Sequence, residues 1–288
     1  MVKREDERVP AMARLPFGVR RLDALCGGGA PAGSLVMVAG EPGAGARAFL
    51  STTVLVNGLA RTDPQRFELT YGELADGATE PEEIHYVTLT AGRASLEREW
   101  REAFDQAMVT AGLKAVSVAD LSAQYFAGID LQIRGDTEKI GYLPEEQPAG
   151  DRVLLDTLTE YLEAHGPAGL IAVDSLTDLG TLPEEQSTWR EIAVLLRAIR
   201  RAADDWGGLV LLLVDPATVS ARTLAQLRSA VHGTLRFEWA TGGYEMDRTL
   251  VIEQFRGVLP TIDAEDLVRF ETRIDEDGFT LSDVRKIH

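Results

Sequence analysis

A short apolar run, Leu35-Val36-Met37-Val38-Ala39, leads directly into Gly40-Glu41-Pro42-Gly43-Ala44-Gly45-Ala46-Arg47, and helical sequence follows from Ala48 to Ala60. A strand buried on both faces reads as a continuous apolar run. Strand, glycine-rich turn and helix, in that order, is the context of a phosphate-binding loop. The pattern G-x-x-x-x-G-K-[ST] needs glycines so that backbone N–H groups can wrap phosphates, a lysine for the terminal phosphates and a hydroxyl for Mg²⁺. Here the glycines are in place, but Ala46 stands at the lysine position and Arg47 at the hydroxyl position. The backbone cradle is present and its side-chain chemistry is missing.

The rest of the chain continues the alternation. Strands are expected at Ile84–Leu89, Ala115–Ala119, Gly169–Val173 and Leu209–Val214, and helices near Ser95–Ala111, Arg152–Ala164 and Ser187–Asp205. Strands separated by helices of ten or more residues imply βαβ units, hence an α/β fold with a mostly parallel twisted sheet and helices on both faces. The polar stretches Arg61–Glu83 and Gln124–Gly150 read as loops. Near the C-terminus, Thr234–Trp239, Thr249–Phe255, Leu267–Thr272 and Phe279 read as strands joined by short turns, an antiparallel extension of the same sheet. Residues 1–13 are expected to form a flexible tail, and residues 14–288 a single domain.

Composition narrows the function. The chain carries a net charge of −17, with four lysines against twenty-five arginines. Such an acidic, lysine-poor surface suits a salt-rich cytoplasm, where screening shortens the range of self-repulsion. No basic stripe offers itself to nucleic-acid phosphates. No apolar run is long enough to cross a bilayer, and the charged N-terminus has no apolar segment behind it, so a cytoplasmic location is expected. The lone Cys26 excludes an intrachain disulfide framework, and the four histidines show no metal-ligand spacing along the chain. His85 and His232 lie in apolar stretches and read as core residues. Ser175 and Thr177 have no histidine placed to activate them.

Asp174 ends the strand LIAVD, where an ATPase places the aspartate that holds Mg²⁺ through water. An aspartate there can equally cap the following turn. Taken jointly, RLPFGVRRLDALCGGGAPAGSLVMVAGEPGAGARAFL, VDSLTDL and TLVIEQFRG resemble the RecA superfamily, and within it the KaiC-like ATPases of archaea and cyanobacteria. The match spans about Arg14 to Thr272. The resemblance implies a RecA-like P-loop NTPase fold and, with the acidic surface, a haloarchaeal source.

It also shows what has been lost. In that family the strand after the first helix ends in one or two glutamates that orient the attacking water; here Thr90-Ala91 stand there. A family K-x-R-G reaches the γ-phosphate of a neighbouring subunit; here it is Gln254-Phe255-Arg256-Gly257. Phosphoryl transfer is mostly positioning and charge neutralisation, so losing lysine, hydroxyl and glutamate together predicts a pseudo-ATPase. Asp174 would then be vestigial, holding metal only if Mg²⁺ is bound, and Arg256 is either a trans-acting finger or a structural ion-pair partner. No cofactor is required, and ATP or ADP with Mg²⁺ is the ligand that residues 40–47 could retain. Arg47 is open to two readings, a surrogate phosphate cation or a solvent-facing helix residue. The implied role is regulation or scaffolding, with an active relative or a second copy as protein partner. The alternative is a slow ATPase using Arg47, with Glu41 as the nearest acid.

Overall fold

The computed structural model describes residues 13–126, 153–182, 188–242, 245–258 and 269–282. A small ribbon pairs β1 (Arg14–Leu15) with β2 (Ala30–Pro31), with helix α1 (Arg20–Leu25) between them in sequence. Strand β3 (Ser34–Gly40) then runs through the glycine turn into α2 (Ala46–Thr62), followed by α3 (Pro64–Thr70), β4 (Ile84–Thr88), α4 (Arg93–Ala103), α5 (Gln106–Gly112), β5 (Val116–Asp120) and α6 (Ser122–Phe126). Next come α7 (Val153–His165), β6 (Leu170–Asp174), α8 (Leu176–Gly180), α9 (Trp189–Trp206), β7 (Leu209–Val214) and α10 (Ala221–Ser229). Strands β8 (Gly233–Gly242), β9 (Glu245–Phe255), β10 (Phe270–Asp275) and β11 (Gly278–Leu281) complete the described elements.

Nine strands form one sheet in the order β11-β10-β9-β8-β3-β7-β6-β4-β5. From β8 to β5 every pairing is parallel, and β9, β10 and β11 add antiparallel. The most apolar runs become the central strands, because a strand covered by helices on both faces has no polar side to offer. All residues of β3, β6 and β7 are buried. One face of the sheet packs on α2, α4 and α5 and the other on α7, α8 and α9, giving two separate cores. Among the described residues, no helix is long and apolar enough to cross a membrane.

Two sequence expectations need correction. The stretch Arg61–Glu83 is not all loop: Asp63 accepts the Arg66 N–H, and Pro64 at the first helical position starts α3. The single helix expected over Ser95–Ala111 is two, because the Asp105 carboxylate accepts the Met108 N–H and caps a new helix. The short helices α1, α6, α8 and α10, of five to nine residues each, are not among the expected elements. Most of Gln124–Gly150 and the pair Glu184-Glu185 lie outside the described residues.

Asp23 is a buried acid in this framework, its Oδ1 accepting the Phe17 N–H at 2.7 Å. Burial pushes its carboxyl up to about 7. Between its ordinary value of 3.8 and about 7 the folded chain therefore holds a proton that the unfolded chain has released. Stability from this group is complete below that window and falls as pH rises through it, by at most ~1.4 kcal/mol per pH unit. Urea unfolding of wild type and Asp23→Asn from pH 4 to pH 8 checks it: the slope assigned to Asp23 should vanish in the variant.

Candidate functional site

The glycine turn sits where a parallel sheet places ligand sites, beyond the carboxyl ends of its strands. Gly43 and Gly45 adopt φ of 77° and 107°, and the Ala44 N–H closes a turn on the Glu41 carbonyl at 3.0 Å. At Gly45 the left-handed backbone disfavours any side chain, and a Cβ there would press to 3.2 Å from the Phe279 ring. The Gly43 and Gly45 N–H groups have no acceptor among the described residues. They face a cleft of about 590 Å³ lined by the loop together with Ser175, Asp178, Asp215 and Arg248.

The loop is held from behind by two residues that sequence reasoning missed. The Trp239 indole N–H donates to the Pro42 carbonyl at 3.1 Å, and Arg248 Nε donates to the Gly43 carbonyl at 2.8 Å. The Arg248 guanidinium also lies over the Trp239 ring, 4.7 Å from its centroid. Trp239 is on β8 and Arg248 on β9, paired directly across the ladder. Nothing in the local pattern of either segment signals a contact two hundred residues away.

The decisive contact is at Arg47, whose Nε lies 2.8 Å from Asp174 Oδ2 and whose second nitrogen donates to Oδ1 at 3.0 Å. This is a two-pronged guanidinium–carboxylate pair. The Tyr86 hydroxyl donates to the same Oδ2 at 2.8 Å. Tyr86 is fully buried, its ring set edge-on against Trp100, and the Trp100 indole is fixed in turn by Ser51 Oγ at 2.8 Å. Burial works against the charge on Arg47, but the Asp174 carboxylate outweighs it and holds the guanidinium above its ordinary value. Neither sequence reading of Arg47 describes this arrangement: it faces neither bulk solvent alone nor a phosphate, but the carboxylate expected to serve Mg²⁺.

The neighbouring groups are similarly committed. Ser175 donates to Asp178 Oδ2 at 2.7 Å, and the Thr177 hydroxyl accepts the Asp215 N–H at 2.8 Å. Burial raises the Asp178 carboxyl above its usual range. At the end of β4, Thr88 Oγ1 bonds the Ala91 N–H and carbonyl, so the segment expected to carry glutamates is turned on itself without a carboxylate. Glu41 Oε2 faces the Trp239 N–H at 3.4 Å on the β8 side of the loop. Three strand spacings, ~14 Å, separate β8 from β6, where Asp174 ends.

The side chains present do not suit Mg²⁺, although the loop N–H groups still suit an anion. Both Asp174 oxygens already have donors, Ala46 offers no cation, and Arg47 offers no hydroxyl.

Arg256 lies elsewhere. Phe255 pairs with Gly233, which lies beside Val36, whereas the loop begins at Gly40 beside Phe237. Four residues of strand, ~13 Å, set it toward the opposite end of the sheet from its own cleft. It is exposed, and among the described residues no carboxylate pairs with it.

The sequence matches no protein-family model and no curated protein. Among solved structures it is similar to KaiC-like protein PH0186 from the hyperthermophilic archaeon Pyrococcus horikoshii, with TM-score 0.61 and 17% identity over 94% of this chain and 100% of that one. The fold is KaiC-like. At that identity the likeness extends to the fold alone, so the chemistry of the KaiC-like cleft rests on this chain's own residues.

Proposed function

We propose that this chain is a catalytically inactive protein of KaiC-like fold that acts through protein contacts, as a regulatory or scaffolding component in signal transduction or in the control of an active relative. The Arg47–Asp174 pair carries the proposal. Where a working site would hold Mg²⁺ and phosphate charge, an internal cation neutralises the acidic centre. Trp239 and Arg248 hold the loop without any ligand. A cleft that is charge-balanced and braced on its own keeps the architecture without turnover.

A second reading, retained nucleotide binding without hydrolysis, is favoured by the free Gly43 and Gly45 N–H groups at the start of α2. Calorimetry with ATP and ADP, with Mg²⁺ in molar KCl, separates the two. No heat at millimolar nucleotide is expected for a purely architectural loop, and micromolar binding would favour the second reading. Phosphate release above background, abolished by Asp174→Asn, would overturn the inactive assignment.

The outward Arg256 fits a contact made in another chain's cleft, since it lies far from its own. Mixed with an ATP-hydrolysing KaiC-like protein, wild type and Arg256→Ala are expected to give steady-state rates that differ about tenfold or more, a lower bound on the roughly thousandfold effect of an arginine finger. Equal rates exclude the trans role.

A further inference from the structure

At the opposite end of the sheet from the glycine loop, three side chains separated in sequence meet. His85 Nε2 lies 2.9 Å from Glu83 Oε2, and His165 Nδ1 lies 2.8 Å from the same oxygen. The three ligand-type atoms all fall within 4.8 Å of one another. Glu83 immediately precedes β4, His85 is the second residue of that strand and His165 is the last residue of α7, so the cluster joins side chains about eighty residues apart.

We propose that Glu83, His85 and His165 form a binding site for a divalent transition-metal ion of the zinc type. Two imidazoles and one carboxylate are a recognised zinc ligand set, and imidazole nitrogen favours zinc, copper and nickel over magnesium or calcium. Tetrahedral ligation at ~2.0–2.1 Å from the metal requires ligand atoms ~3.3 Å apart. Glu83 therefore has to draw back by only a few tenths of an ångström from each ring, and its side chain is 55% exposed and free to do so.

The surroundings resemble those of a built site. His85 is buried, and its other ring nitrogen, Nδ1, lies 2.6 Å from the Tyr161 hydroxyl. An outer partner of this kind fixes ring orientation and tautomer for a metal-ligating histidine. For Nε2 to ligate, Nδ1 must carry the proton and donate to the Tyr161 oxygen. The backbone is anchored as well: the Leu170 N–H donates to the Glu83 carbonyl at 2.8 Å, and the Glu82 N–H to the Ala168 carbonyl at 2.9 Å. These bonds hold the start of β4 against the segment that follows α7. With His165 and Glu83 on the solvent side, a fourth position stays open to water or to a ligand from another molecule.

The test uses the full chain without a histidine tag, stripped with chelator and titrated with Co²⁺, then with Zn²⁺ in competition. The expected result is one Co²⁺ per chain with the intense visible bands of four-coordinate cobalt, displaced by Zn²⁺. His165→Ala and Glu83→Gln alter partly exposed side chains, and each should weaken binding at least tenfold. Tyr161→Phe should weaken it by about tenfold, the lower end of outer-partner effects. Absence of cobalt bands at 100 µM metal, or unchanged affinity in His165→Ala, overturns the site and leaves a hydrogen-bonded trio.

Discussion

Ala46→Lys combined with Arg47→Thr is expected to bind Mg²⁺–ATP about a hundredfold more tightly than the wild-type chain while releasing no more phosphate. Ala46 already lines the cleft, so a lysine there starts from its floor. Each charge-assisted bond to phosphate is worth about 1.5–3 kcal/mol, and a hundredfold corresponds to ~2.7 kcal/mol. The threonine supplies the missing hydroxyl. Removing the guanidinium frees both Asp174 oxygens, apart from the Tyr86 hydroxyl bond. No gain in turnover is expected, because Thr88 and Ala91 close a turn at the end of β4 that presents no carboxylate. The cost is the lost ion pair, about 1–2 kcal/mol of stability once discounted for the exposure of Arg47. Calorimetry and phosphate release on both proteins check the prediction. If the double variant binds no better than wild type, the Arg47–Asp174 pair does not limit nucleotide binding.

The largest stability effect is expected at Phe49, one turn into α2 behind the loop. It is fully buried, with ring centroids 5.3 Å from Phe237, 5.6 Å from Phe279 and 5.9 Å from Phe17. These partners come from β8, from β11 and from the segment before α1, so one ring joins the loop helix to both ends of the chain. Phe49→Ala should cost about 3–5 kcal/mol through lost burial and the cavity left behind. At about 2–4 °C per kcal/mol for chains of this size, the melting temperature should fall by roughly 10 °C. Phe49→Leu should recover more than half of the loss. A drop below 1 kcal/mol for the alanine variant in urea unfolding would contradict the central role of this cluster.

Much of the fold is legible in the sequence because burial imposes local patterns. LVMVA, LIAV and LVLLLV are continuous apolar runs, and each lies in a central parallel strand of the structure. The long helices α2, α7 and α9 appear within two residues of their expected ends. What failed were short elements governed by single caps, such as Asp63 before α3 and Asp105 between α4 and α5. A capping carboxylate redirects the chain through one hydrogen bond and leaves little trace in hydrophobic periodicity.

The candidate site divides in the same way. That a glycine turn links a buried strand to a helix, and that it lacks lysine and hydroxyl, is settled by residues 35–60 alone, because neighbours along the chain make that turn. What fills the missing chemistry is decided by strand order. With β3, β7 and β6 side by side, Arg47 meets Asp174, and with β8 and β9 on the other flank, Trp239 and Arg248 reach the loop carbonyls. Glu83, His85 and His165 likewise meet only because β4 pairs with β6 and α7 ends just before that strand. Local sequence encodes the period of each element and the backbone of the turn. The partner that each charged side chain finds across the sheet depends on long-range pairing, which no segment encodes by itself.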